Sequence, residues 1–389
     1  MYRYWIVLLM LLMVSCTSTD ESDAPANGAG ECAAPEPEQP VARLGKLEDP
    51  DAPEQTRAIE AIETITGLTF KQRVPVYVYT PEELAEEIKG WGDDGFTPEN
   101  ILGFYKWSTK AFYLVPEAAG NKRAYGLRIH EAVHALQDQH YDLAKLHAEP
   151  ETSDADWALL ALIEGEAVQV MVDALIEKQP HVAFISKARA PEGSTDPAAY
   201  RNVYVYAHGT QFVEALKKVD GYKTVDGAFR DLPVSTEQIL HPEKYTGKRD
   251  LPDEITLDMK ALKEALPGWK LSEPDRLGEF EMRMVWVQQE QTVMQAESIA
   301  AGWGGDAQVV ATKGETELKL WVTTWDTRDD AREFFEALDH LPDGLGVVWN
   351  EDVDPLTVYL VRGNMEPDYA FNTPIFSALR RAKIVHDPK

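Results

Sequence analysis

Residues Ala158–Val168 read Ala-Leu-Leu-Ala-Leu-Ile-Glu-Gly-Glu-Ala-Val. A helix this apolar has to be packed around most of its circumference, and it carries two carboxylates into that packing. A buried, unpaired carboxylate is costly, so Glu164, in the middle of the run, needs a cation or strong hydrogen-bond donors. Glu166 is its rival and points about 200° away on a regular helix. Thirty positions before Glu164 stands His134, the last residue of His130-Glu131-Ala132-Val133-His134. Leu127–Leu143 has helical spacing, and positions four apart share a helix face. Both imidazoles can therefore reach one metal ion, with Glu131 beside a water bound to it. Zinc lowers the pKa of such a water toward about 7, and a carboxylate can then take its proton.

The His-Glu-x-x-His pattern arises by accident in about one chain in fifty of this length, so context has to support it. The bland alternative is a helical face that is simply polar and solvated. Leu127, His130, His134 and Asp138 fall in register on one stripe, and Asp138 could orient an imidazole. A catalytic zinc needs a third protein ligand and one open position. Two antiparallel helices joined by a turn at Leu146–Ser153 would set Glu164 beside the histidines. Glu166, His140, His147 or a carboxylate elsewhere remain the other candidates for the third ligand.

The N-terminus reads as an address. Arg3 and the free amine precede the apolar run Trp5–Val14, which Ser15-Cys16 closes. The run is too short for an ordinary transmembrane helix and suits a secretory signal. A small residue directly before a cysteine resembles the lipobox of bacterial lipoproteins. That resemblance implies a signal peptide over 1–15, cleavage before Cys16 and lipidation of the Cys16 thiol. Residues 16–52 are rich in Ser, Thr, Asp, Glu, Pro, Ala and Gly and cannot bury enough surface to offset ordering. They are expected to form a flexible acidic tether. Cys32 lies within it, with nothing nearby to stabilise a thiolate.

Further on, Thr56–Thr66 has helical spacing and Val74–Tyr79 reads as a strand whose proline marks a start or a sheet edge. Thr80-Pro81-Glu82-Glu83 is a helix start. Ile101–Trp107 and Ala111–Val115 read as a hairpin around Ser108-Thr109-Lys110, with an edge that an extended peptide or a neighbouring loop can cover. Helices are expected at about 122–142, 154–178 and 207–219. A loop-rich stretch at 220–275 includes Pro233–Leu240. Glu279–Val287 reads as extended. A helix over Glu290–Ala301 precedes strands at Gln308–Thr312 and Glu315–Trp325. Thr327 caps another helix, and strands at Val347–Asn350 and Thr357–Arg362 lead to a last helix near 373–382. Trp303 among glycines reads as a turn packed on the sheet, and His241-Pro242-Glu243 as a polar surface turn.

A His-Glu-x-x-His helix followed by a Glu-Gly-x-Ala segment resembles the gluzincin metallopeptidases, the class of thermolysin and the zinc aminopeptidases. The resemblance implies His130 and His134 as zinc ligands, Glu131 as general base and Glu164, the Glu directly before Gly, as third ligand. His130–Leu143 with Glu164–Ala167, Tyr206–Val213 and Pro233–Tyr245 are also similar to a group of largely uncharacterised exported prokaryotic proteins predicted to be zinc proteases. In the gluzincins a Tyr or His downstream of the third ligand donates to the oxyanion, which here implies Tyr206 or His208; Tyr204 is close by. Position 168 is Val where a thermolysin-like pattern has Asp to brace a histidine, so Asp138 or Asp173 would have to substitute.

The expected fold class is α+β. A helical, zincin-like domain with a small edge sheet spans 53–270, and a smaller α+β domain with an antiparallel sheet spans 271–389. The expected activity is peptide-bond hydrolysis by a zinc peptidase, exported and lipid-anchored to a bacterial cell membrane on its periplasmic or surface side. The alternative is a non-catalytic, zinc-bearing binding or structural envelope lipoprotein. A net charge of −28 excludes a nucleic-acid partner, because phosphate backbones need basic patches. The expected partners are a peptide or protein substrate and the membrane. No phosphate-cradling loop and no Gly-x-Ser-x-Gly elbow suggests nucleotide or serine-hydrolase chemistry.

Overall fold

Short β-branched and aromatic runs build the first sheet. The computed structural model describes residues 46–47, 52–89, 101–115, 124–176, 195–289, 291–338, 345–364 and 369–387. The expected signal peptide, Cys16 and Cys32 lie outside them. Among the described residues, those up to His140, apart from Ile65–Gly67, form one compact unit, and the remainder forms a second.

In the first unit, β1 (Lys46–Leu47), β2 (Val76–Val78), β3 (Gly103–Lys106) and β4 (Ala111–Leu114) lie in the order β1-β2-β4-β3. β1 falls inside the stretch expected as tether, yet it pairs antiparallel with β2. β2 and β4 are parallel, and β3 and β4 form the expected hairpin. Lys110 closes that hairpin in the left-handed region, with φ 52°. Tyr113 is the centre of the core. Its ring stacks on Tyr77, Tyr79 and Phe104 at centroid distances of 5.6, 4.8 and 5.2 Å. Burying such a ring contributes about 1.5–3 kcal/mol. Leu127 and Ala135 of the helix Ala124–Tyr141 join the same core, which leaves β3 as an edge strand beside that helix. Thr80 caps the helix Pro81–Ile88 through a reciprocal capping box with Glu83, as its sequence dictates.

The second unit combines a helical layer with a five-stranded antiparallel sheet. The helix Ser153–Leu175 is buried along nearly its whole length. It packs on the helix Gly209–Asp220 and on the π-turn Val203–His208 that leads into it. The sheet contains β6 (Lys270–Leu271), β7 (Trp303–Lys313), β8 (Thr316–Trp325), β9 (Leu345–Asn350) and β10 (Asp354–Gly363), ordered β6-β7-β8-β10-β9. A separate pair joins β5 (Glu254–Thr256) to β11 (Lys383–Val385). Leu318, Leu320 and Val322 alternate into a core shared with Leu262, Ile375 and Leu379. The architecture is thus mixed α+β, with small sheets.

One element differs from its sequence pattern. Gly278–Val287 is a helix, not an extended segment. Its charged and apolar residues alternate, which is the pattern of a strand. Tertiary contacts overrule the alternation. Glu279 and Arg283, four apart and both buried, pair at 2.5 Å; a helix brings such positions within about 6 Å, whereas a strand would hold them about 13 Å apart. Phe280 stacks on Tyr204 at 3.9 Å and meets Trp157 edge-on. The turn expected at Trp303 sits one residue earlier, at Gly302 with φ 74°. Trp303 itself begins β7, fully buried, and donates its indole N–H to Asp306. No helix among the described residues is long and apolar enough to cross a membrane.

Candidate metal centre

The helix Ala124–Tyr141 carries His130 and His134 on one buried face, 0% and 6% exposed. Their Nε2 atoms are 3.1 Å apart and their rings stand nearly perpendicular at 82°. Two nitrogens bound to one tetrahedral zinc at 2.0–2.1 Å would lie about 3.3 Å apart. The pair is therefore already close to ligand spacing. The described neighbour of His134 Nδ1 is the Gln137 side-chain oxygen, at 2.9 Å. That oxygen accepts, so the proton belongs on Nδ1 and the lone pair on Nε2, where a metal would use it. Gln137 thus fills a role that the sequence suggested for Asp138.

Asp138 ties the hairpin to the helix. It accepts from the Tyr105 hydroxyl at 2.6 Å and from Lys110 Nζ at 2.8 Å. Burial and the Asp138 charge push the Tyr105 hydroxyl far above its ordinary pKa, so it stays a donor. β3 also reaches the motif directly, because the Tyr105 backbone N–H donates to Glu131 Oε2 at 2.7 Å. The carboxylate expected to act as base is thereby held by a strand edge. Nothing in the motif's spacing announces this N–H, since it depends on hairpin register.

In the second unit, Glu164 is 2% exposed on the helix Ser153–Leu175. The residue after it explains the Glu-Gly pair. A Cβ placed on Gly165 would lie 2.3 Å from the carbonyl carbon and oxygen of Gly209. A Cβ on Gly209 would lie 2.2 Å from the Ala161 carbonyl oxygen. The two helices cross backbone on backbone, as small residues allow. Gly209 follows His208 directly, so the π-turn bearing Tyr206 and His208 ends at the crossing that Glu164 adjoins in sequence. Single π-turns recur at functional positions. Tyr206 and His208 are half-buried there. Tyr204 is fully buried and stacked on Phe280; burial pushes its hydroxyl well above the ordinary range, and its role is packing.

His130, His134 and Glu164 each offer one ligand atom, all within 4.8 Å of one another, and the group could hold a metal ion. Glu166, His140 and His147 belong to no such group among the described residues. Glu166 instead raises the pKa of the Tyr141 and Tyr222 hydroxyls, behind the larger effect of their burial for Tyr141 and of burial and Asp173 for Tyr222. Asp173 accepts from Gln169, Lys217 and Tyr222.

A second cluster, Glu237, Asp250 and Asp326, has comparable spacing, but Lys244 Nζ stands among the three carboxylates at 2.5, 2.9 and 3.4 Å. The chain's own ammonium fills that place, and the surrounding acids outweigh burial in raising its pKa. The expected surface turn at His241 is half-exposed and reaches back to the buried Glu279 at 3.1 Å.

Residues 268–374 match a family described as a domain of unknown function, DUF8575. This span covers the whole five-stranded sheet and none of the three clustered side chains. No curated protein and no solved structure matches the chain.

Proposed function

We propose that the chain is a zinc-dependent metallopeptidase of zincin-like fold, exported and held at a membrane through a lipid on Cys16. The observation that carries this reading is the buried group His130, His134 and Glu164, with Glu131 on the same helix and its carboxylate gripped by the Tyr105 N–H. The donor set fits zinc. Two imidazole nitrogens and one carboxylate leave one of four tetrahedral positions open, the composition of a catalytic site. When bound, zinc supplies Lewis acidity, lowering the pKa of a water and polarising a carbonyl.

The chain's own residues do the rest. His130 and His134 hold the ion, with Gln137 fixing the His134 tautomer. Glu164 contributes the negative charge that a divalent cation in a dry site needs. Glu131 takes a proton from the attacking water and later delivers it to the leaving amine. The Tyr105 N–H holds one oxygen of that carboxylate and so fixes its direction. Tyr206 or His208 donates a hydrogen bond to the oxyanion of the tetrahedral intermediate.

The test is zinc per chain by elemental analysis, together with cleavage of an unfolded protein substrate. The wild type should hold one zinc and cleave, and Glu164→Ala should lose both. Glu131→Gln should keep its zinc and lose cleavage. Zinc retained in every variant without any turnover would point to the non-catalytic envelope lipoprotein instead.

A further inference from the structure

The sheet of the second unit has a second face that the metal reading does not use. Leu318, Leu320 and Val322 turn into the core, so Lys319 and Trp321 face the other way. A cavity of about 700 Å³ lies on that side, lined also by residues of the helix Gly278–Val287. Its size suits a small organic molecule. Leu360 of β10 stands opposite Trp321, and Arg362 opposite Lys319, so all four share this face. Trp321 is 6% exposed and donates its indole N–H to Asp306. Its ring is therefore held in place, and Leu360 extends the apolar surface.

The pair Lys319 and Arg362 needs a reason. Like charges set directly opposite on a sheet destabilise it. The chain has 66 acidic residues against 38 basic ones, yet among the described residues neither cation has an ion pair or a side-chain hydrogen bond. Arg362 is half-buried, and the loss of solvent lowers its pKa. Burial raises the pKa of Glu281, on the facing helix, against the opposing charges of Arg201 and, less strongly, Lys319. Glu315 and Glu317 lie at the exposed outer end of the row. An anion between the Arg362 guanidinium and the Lys319 ammonium would supply what the chain withholds. The three nearby glutamates would repel a dianion such as phosphate, so a single negative charge fits better.

We propose that this cavity binds a small organic monoanion with an apolar body. Its carboxylate sits between Arg362 and Lys319, and its body lies on Trp321 and Leu360. The site is separate from the metal centre and stands or falls without it.

The probes are 3-phenylpropanoate and its neutral amide, titrated by calorimetry into the full chain. A hydrogen-bonded charge makes the acid bind about tenfold or more tightly than the amide. Arg362→Gln should remove that preference and leave the thermal midpoint of the free protein equal or higher. Lys319→Gln, at an exposed position, should reduce the preference without affecting folding, and Glu317→Gln should leave it intact or strengthen it. Equal affinity for acid and amide would overturn the proposal. So would no saturable binding of either up to about 10 mM, phosphate binding as tightly as the acid, or an acid preference unchanged in both cation variants. If Arg362→Gln fails to fold, the Lys319→Gln result decides.

Discussion

Replacing Gly165 by Ala tests the backbone crossing on which the proposed third ligand depends. In an ordinary helix the change would stabilise, because Ala is favoured over Gly by about 0.8–1.0 kcal/mol. Here the new Cβ would meet Gly209 backbone atoms at 2.3 Å, whereas ordinary contact begins near 3.4 Å. The helices must then separate by at least 3.4 − 2.3, or about 1.1 Å. Neither opposing atom belongs to a side chain that could rotate away. The cost therefore sits at the upper end of the 1–3 kcal/mol that overpacking brings, about 3 kcal/mol. After the propensity gain is subtracted, a net loss of about 2 kcal/mol remains. For a unit of this size that lowers the thermal midpoint by about 4–8 °C. Circular dichroism melting measures it, with Gly227→Ala as a control: no atom lies within 4 Å of a Cβ there, so that variant should be neutral or stabilised by up to about 1 kcal/mol. The shift also moves the backbone that carries Glu164, so zinc retention should fall with stability. A Gly165→Ala protein melting at or above the wild-type temperature would refute the close crossing and with it the account of the Glu-Gly pair.

Three further outcomes are expected. Gln137→Ala should weaken zinc binding about 10–100-fold by competition against a chromophoric chelator, because the His134 tautomer loses its anchor; unchanged affinity would assign the orienting role elsewhere. Replacing Glu131 by Gln should lower peptide cleavage by at least about 100-fold with zinc content intact, since proton transfer contributes that much, and near-wild-type turnover would remove Glu131 as base. The third concerns pH. Burial disfavours the His241 cation, but the hydrogen bond and charge of Glu279 outweigh it and raise the pKa above 6.5. Burial raises the Glu279 pKa, but Arg283 and, after it, His241 outweigh burial and hold the carboxyl at about 2, so Glu279 is ionised across the range tested. A raised histidine stabilises the fold fully below its unfolded pKa of about 6.5, and that contribution is lost as pH rises through the folded value. The gap in melting temperature between wild type and His241→Gln should therefore shrink from about pH 6 to about pH 9; a constant or widening gap would show that the pair does not titrate this way.

Much of the candidate centre was legible from adjacent residues. Helical spacing alone puts His130 and His134 on one face, and an apolar run around a carboxylate singles out Glu164 as a residue in need of a cation. The Thr80 and Thr327 caps and the hairpin at Ser108-Thr109-Lys110 are equally local, because each is written in three or four consecutive residues. The choice of Glu164 over Glu166 was narrowed by resemblance, and the cluster of three side chains agrees with it.

What depends on surfaces meeting could not be read in advance. The period-2 pattern of Glu279–Val287 describes a strand as well as it describes a helix buried all round, and only the Glu279–Arg283 pair and the Phe280 stacking select the helix. The Tyr105 N–H reaches Glu131 because hairpin register places it there, and a backbone group carries no sequence signal. Gln137 looked like any helical polar residue until the His134 ring turned toward it. Gly165 was visible as part of a motif, but its reason is the Gly209 backbone, 44 residues on. Lys319 and Arg362 are likewise far apart in the chain and become a like-charged pair only through the register of β8 against β10. The amino-acid order determined which faces are apolar, which residues can ligate and where elements start. The tertiary structure decided which of those faces touch, because contact across the chain depends on register and helix crossing, and neither is a property of any single segment.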